Sequence, residues 1–457
     1  MSRRSFMSVV VALLAVTACQ AELQINTYTT HDQIYPAVAM NAGGDFVVVW
    51  RSQFLDGRGG GLYGQRFGAD GAARGDEFNI NMTQIDVGVW APSVAMHSSG
   101  SFVVVWATAD SGHSDIVARM YDEEGEPVTD EFVVNTVTEG PQWNPKISMN
   151  SSGDFVVVWG CWCGQDYVGK NCVAGRLFDA AGVPKADEFT ISQLPHGCVP
   201  DVAMDDSGDF VVTWLRDGDM DDRPLGQYIR LRRYNADGTP KADVVEITKD
   251  LRGRWYGPSV AVDPGGSSVI AWACGPWPYD ILAERFDPNG VPIGEPFLVN
   301  THTEGNQGAP RVAMSRAGQF VIVWESKGQH STSYDVFGQR YNSDGTRLGG
   351  QLRLNTHTAD RQWYSDVAMA EGGDFVTVWV SEQQDGSGYG VFGELVPKPA
   401  SPDCNGDGFV DFSDFCIIAE QWHVEDAPYI ADLATDNRVD GFDLVRFAAH
   451  WLKPCGQ

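Results

Sequence analysis

The sequence predicts a mainly-β protein, a seven-bladed β-propeller closed by its N-terminal strand, with a small α-helical module behind it. Three observations predict the ring. First, FVVVW or a close relative ends at Trp50, Trp106, Trp159, Trp214, Trp272, Trp324 and Trp379, each 52 to 58 residues after the last. Second, a Gly stands six residues before each Trp, at Gly44, Gly100, Gly153, Gly208, Gly266, Gly318 and Gly373. Third, the strand-like run missing after the seventh repeat is present at the start of the chain. A period of about 50 residues with strand content marks a stacked or radial array of sheets.

Each repeat holds four strand-like runs. In the first they are 37–40 (A), 46–50 (B), 63–67 (C) and 77–80 (D), with Gly-containing turns between A and B and between C and D. Such turns suit hairpins. Run B is apolar on both faces, so it needs a neighbour above and below, as blades around an axis supply. D runs follow the first six sets, at Phe78, Phe132, Phe189, Val245, Phe297 and Leu352. The seventh set stops at 391–396. Leu23-Gln24-Ile25-Asn26-Thr27 matches Leu352-Arg353-Leu354-Asn355-Thr356, so the first strand is expected to complete the last blade and leave no open edge. The regular methionines after run A and the seven Trp of run B are expected to be packing.

The chain has 457 residues and a formal charge of -29. That field opposes phosphate backbones, which argues against a nucleic-acid partner and leaves calcium, cationic partners and glycans open. Arg3 and Arg4, the apolar run 9–16 and the small residues near Ala21 form a bacterial export signal over 1–21, either an ordinary secretory one or a twin-arginine one. Val16-Thr17-Ala18-Cys19 matches a lipobox, so Cys19 could carry a lipid; plain secretion is the simpler expectation. No stretch is long enough to be a transmembrane helix. Export permits disulfides, and Cys161, Cys163, Cys172 and Cys198 are expected to form two rather than a zinc site. Cys274 stands alone.

The ring is expected over 22–396. The B–C and D–A loops share one face, where a rigid scaffold usually carries specificity. Aromatic residues recur just before run A, at Tyr35, Trp90, Trp143, Trp255 with Tyr256, and Trp363 with Tyr364. They would crown the channel mouth, either as stacking surfaces for sugars or as blade-to-blade packing. Trp162 and Trp277 lie in the B–C loops nearby. No catalytic residue is assigned: there is no GxSxG elbow, HExxH pair or phosphate loop. Loop carboxylates at Asp110, Asp115, Asp166, Asp217, Asp219, Asp221 and Asp280 leave a glycosidic pair open, with solvated acidic loops as the simpler account.

Pro-rich residues 397–402 form a linker. Beyond it, Asp403, Asn405, Asp407, Asp411 and Asp414 place oxygen ligands at positions one, three, five, nine and twelve, with Gly408 at the turn and the Phe409 carbonyl at seven. The plan returns 29 residues later with Asp432, Asp436, the Arg438 carbonyl, Asp440 and Asp443; Ala434 and Asn437 depart from it, so this loop should hold calcium more weakly. An amphipathic run follows each loop. Residues 403–457 thus resemble a type I dockerin, the paired calcium-loop module of the EF-hand kind that docks onto cohesin domains. The resemblance implies Ca2+-dependent folding and a cohesin partner met through Phe412, Ser413, Gly441 and Phe442, which are not the small hydroxyl pair often found there. Cys404 and Cys455 bracket the module. The propeller repeat, with strings such as GDFVVVW and FGQRF, resembles repeat arrays of large secreted bacterial proteins, which implies a fold and no activity.

The expectation is a secreted or cell-surface binding or scaffold propeller, tethered through the calcium module and holding a polysaccharide or other partner on its loop face. The alternative is an extracellular enzyme hydrolysing O-glycosyl bonds or acting as a lyase in polysaccharide catabolism, since dockerins usually accompany such activities.

Overall fold

The computed structural model describes residues 22–53, 60–82, 92–108, 114–162, 171–192, 197–216, 227–251, 257–275, 278–330 and 332–398. Residues 22–397 form one compact unit. The described residues hold strands and no helix, arranged as seven four-stranded antiparallel sheets. Six sheets run in the order A-B-C-D along the chain. In the seventh, Gln362–Met369, Phe375–Glu382 and Tyr389–Val396 are completed by Leu23–Gln24. The A strands of neighbouring blades touch in ring order, and Gln362–Met369 touches Gln33–Met40, so the ring closes. The seven-bladed propeller is therefore the fold, with the closing strand where the repeat count put it.

The B strands carry the core. Phe46–Ser52 is buried along its whole length, and the seven repeat tryptophans are at most 2% exposed. Each indole sits between adjacent blades, where a Trp withdraws roughly 150–250 Å² from water, an upper-bound transfer gain of about 4–6 kcal/mol. At the A–B turns all seven predicted glycines have positive φ, from 77° at Gly318 to 104° at Gly100. A side chain there would be strained, which explains the fixed offset between Gly and Trp.

Two polar devices recur outside the core. An Asn at the end of strand D turns back to accept the N–H of strand C. Asn81 takes Leu62 at 2.6 Å, and Asn135, Asn300 and Asn355 take Ile116, Ile281 and Val336 at 2.7 Å each. The following Thr binds a carboxylate or amide from the D strand of the next blade: Thr136 N–H donates to Glu188 at 2.7 Å, and Thr301 N–H donates to Gln351 at 3.0 Å. The closure uses both. Val391 N–H donates to Asn26 Oδ1 at 2.6 Å, Thr27 meets Glu77, and Glu22 accepts from Thr356 and from His357 N–H at 3.0 Å. Ile25 is 1% exposed.

The D strands are less uniform than expected. Four have two residues, such as Phe132–Val133, and three have seven, such as Ala73–Asn79. Three of the four short blades, and blade four with its seven-residue strand, carry an isolated bridge to a proline such as Tyr121 to Pro127, where the missing Pro N–H prevents a longer pairing.

Candidate functional site

Each A strand starts at the loop face, and in five of the seven the register slips there. The shift falls between Ile34 and Ala37, Trp143 and Lys146, Cys198 and Asp201, Gly308 and Arg311, and Trp363 and Asp366. Inside each bulge one non-glycine residue has positive φ: Tyr35 (56°), Asn144 (49°), Val199 (50°), Ala309 (48°) and Tyr364 (53°). Four of the five precede a proline, which cannot donate to the ladder and so forces the break. Strained backbone of this kind costs about 1–3 kcal/mol and persists only where the surroundings determine it. Its effect is to break the side-chain alternation at the start of the strand in those five blades.

In the sector from blade six to blade one these side chains gather. The Tyr35 and Tyr364 rings lie 4.7 Å apart across the seam between blades one and seven. Trp363 stacks on Tyr364 at 4.5 Å and meets Tyr389 at 5.7 Å, and the Arg361 guanidinium lies 5.6 Å over the Trp363 ring. Tyr364 is 36% exposed. Its backbone N–H donates to Glu325 Oε1 at 2.6 Å. Glu325 follows the blade-six Trp and is buried. Burial pushes its carboxyl up to about 7, against the pull of the Tyr364 and Ser365 N–H groups and of Arg311. Arg51, in the matching place in blade one, is also buried; burial lowers its pKa, opposed by Tyr35 and Asp32. The cluster combines exposed ring faces with a guanidinium and a carboxyl that can hold a proton near neutrality.

The other expected residues divide. Trp143 lies against its own sheet: a Cβ on Gly160, its register partner, would come within 2.4 Å of the indole nitrogen. Asp115 and Asp280 are not solvated loop acids, because each accepts the amide of a strand-D Asn, Asn135 and Asn300, at 2.7 Å. Trp90, Trp255, Tyr256, Trp277, Asp110, Asp166, Asp217, Asp219 and Asp221 lie outside the described residues. So do the calcium-loop positions 403–443, the docking positions Phe412, Ser413, Gly441 and Phe442, the export signal and Cys19. Cys161 faces Cys172 across two strands with sulfurs 2.9 Å apart, yet Cys161 is a free thiol while Cys172 is disulfide-bonded, so the four cysteines do not pair as the two disulfides expected. Burial pushes the Cys161 thiol up to about 12. Cys274 is free, and burial raises it to about 11. No helix among the described residues is long and apolar enough to cross a membrane, and no described cluster of His, Cys, Asp and Glu could hold a metal.

Below the mouth lies a belt that the sequence reading missed. The residue three before each strand-A methionine includes Lys146, Asp201, Arg311 and Asp366. Asp366 Oδ2 accepts Val38 N–H and Asp201 Oδ2 accepts Val260 N–H, each at 3.0 Å, so these acids tie one blade to the next. Arg311 Nε stands 3.9 Å from Asp366. The available signal was a charge at a fixed place in a run otherwise spelled Val-Ala-Met.

No family model matches the chain, and no curated protein matches it. Among solved structures the chain is similar to a PL25 ulvan lyase, a polysaccharide lyase, with 11% identity, a TM-score of 0.51, and coverage of 82% of this chain and 96% of that one. A protein of unknown function from Dyadobacter fermentans aligns with 10% identity and a TM-score of 0.48, over 82% and 98% of the two chains. An α-L-arabinanase of Penicillium chrysogenum aligns with 12% identity and a TM-score of 0.47, over 68% and 94%. At such identities the likeness is one of fold.

Proposed function

We propose that the chain is a secreted propeller that binds a polysaccharide at its channel mouth and is tethered through the calcium-loop module at its C-terminus. One observation carries the glycan reading: Tyr35, Tyr364, Trp363 and Tyr389 form a continuous, partly exposed aromatic cluster beside Arg361, on the face opposite the tight A–B turns. Aromatic faces suit the apolar faces of sugars. A propeller is also the fold of a polysaccharide lyase, which makes the reading compatible with the fold and no more. The tail contributes oxygen donors at the spacings calcium requires, and cohesin docking is part of the proposal.

A second reading, polysaccharide cleavage, has one observation in its favour. Glu325 holds a carboxyl near 7 directly behind Tyr364, a suitable range for acid–base work. Its burial and its bond to a backbone N–H favour a positioning role instead. The deciding experiment incubates the mature protein with calcium against a broad panel of polysaccharides. Retention on an insoluble glycan without oligosaccharide release supports binding. Release above a heat-inactivated control overturns the non-catalytic reading, and neither retention nor release overturns both.

A further inference from the structure

We propose that Lys146 and Arg311 form an anion site inside the bore, which takes the carboxylate or sulfate group of an acidic sugar reaching down from the aromatic mouth. The proposal rests on the glycan reading for its ligand, and on the bore alone for its site.

Lys146 stands on strand A of blade three, yet its electrostatic neighbours are Asp201 of blade four, Arg311 of blade six and Asp366 of blade seven. Only across a narrow bore can a blade-three side chain sense blades six and seven. Among the described residues the Lys146 ammonium makes no hydrogen bond and no ion pair within 4 Å. The two nearby acids are committed elsewhere. Asp201 accepts Val202 N–H with one oxygen and Val260 N–H with the other, each at 3.0 Å. Asp366 accepts Val38 N–H and leans on Arg311. Neither can swing to Lys146 without freeing a backbone donor between blades, which costs about 1–3 kcal/mol. Burial and then Arg311 depress the lysine against the pull of Asp201 and Asp366, and neither acid is in hydrogen-bond or ion-pair contact with its ammonium. An oxyanion between the two cations supplies the missing partner.

Entry is one-sided. At the A–B turns, Arg316 of blade six pairs with Asp206 of blade four, 3.2 Å from Nη1, and with Glu371 of blade seven at 3.2 Å. This fork bridges the lower end of the bore, and the aromatic rings of Tyr35, Trp363 and Tyr364 lie toward the other end. A sugar stacked on Trp363 or Tyr364 would direct an acidic substituent inward, toward the only cation in the bore without a fixed partner among the described residues.

The test has two arms, both on the full chain with calcium. The first follows thermal unfolding in sodium sulfate against sodium chloride at equal ionic strength, for the parent, Lys146→Gln, Lys146→Arg, and Lys185→Gln as a remote surface control. A general sulfate effect is common to all. The parent, Lys146→Arg and the control should gain about 1–2 °C beyond Lys146→Gln. Arg311→Gln should lose the same increment, and it stands in if Lys146→Gln does not fold. The second arm measures affinity for oligogalacturonate, a sulfated galactan oligosaccharide and neutral galactan. A preference of about tenfold for one acidic ligand, lost in Lys146→Gln, identifies the group. A sulfate increment without any glycan binding keeps the site and removes the glycan reading. Neutral binding with neither increment nor acidic preference keeps the glycan reading and overturns the site.

Discussion

Trp143 and Trp363 occupy the same place in the repeat, each directly after a buried Gln at the start of strand A, and they meet different fates. The difference lies across the ladder. Trp143 faces Gly160 and falls onto the bare backbone. Trp363 faces Val380, whose side chain is fully buried and fills that space, so the indole stays with Tyr364, Tyr389 and Arg361. The residue after the strand-B Trp thus decides whether an aromatic at the mouth becomes packing or platform. In blades one and six that residue is Arg51 or Glu325, and the seam sector acquires buried charge as well. Blade three shows what the repeat does with an aromatic by default, and the seam shows what a single cross-strand change makes possible.

The comparison can be broken most severely at the seam itself. Deleting residues 22–27 removes the buried Ile25 and leaves Val391 N–H without Asn26. A loss of at least about 4 kcal/mol is expected, read as a large fall in the urea midpoint. An unchanged midpoint would mean that the ring does not depend on its closing strand. The two tryptophans come next. Trp363→Ala should lower glycan retention by more than about tenfold with little effect on folding, as the proposed glycan platform requires. Trp143→Ala should instead cost about 2–3 kcal/mol of stability and leave retention within about threefold. The reverse pattern, scored by pull-down and denaturation on the same preparations, would invert the assignment.

A sharper version keeps the tryptophan and changes its floor. Gly160→Val places carbon where the Trp143 indole now lies, so the ring must move out, at about 1–3 kcal/mol. Its fluorescence should shift to the red; an unchanged spectrum would show that the strand-B residue does not control the ring. The smallest effect concerns pH. Burial raises Glu325 to about 7, and burial with Glu22 raises Glu394 to about 8. Each native carboxyl therefore holds its proton above the range where an unfolded one releases it. Their contribution is fully present below about pH 4.5 and is lost as pH rises through 7 to 8. Between pH 5 and 8 stability should fall with pH, and Glu325→Gln and Glu394→Gln should each flatten that slope in thermal melts. A slope unchanged by both substitutions would remove the assigned cause.

The repeat, its count and its closure were legible in the sequence because they rest on local necessities. Gly44 and its six equivalents need positive φ, Trp50 and its equivalents need two apolar neighbours, and Leu23-Gln24-Ile25-Asn26 must find a sheet. Such constraints recur at every period and reinforce one another. The tail speaks through the spacing of oxygen-bearing residues at 403–443 alone, and its calcium loops belong to the proposal. Asp115 and Asp280 show the limit of this reading: as letters they are loop acids, and only the return of Asn135 and Asn300 across the sheet makes them structural. The aromatic cluster at the seam and the belt of Lys146, Asp201, Arg311 and Asp366 were decided by the tertiary structure. Each draws on blades far apart in the chain, joined when the ring closes, and no periodic rule states which blade will face which across the bore.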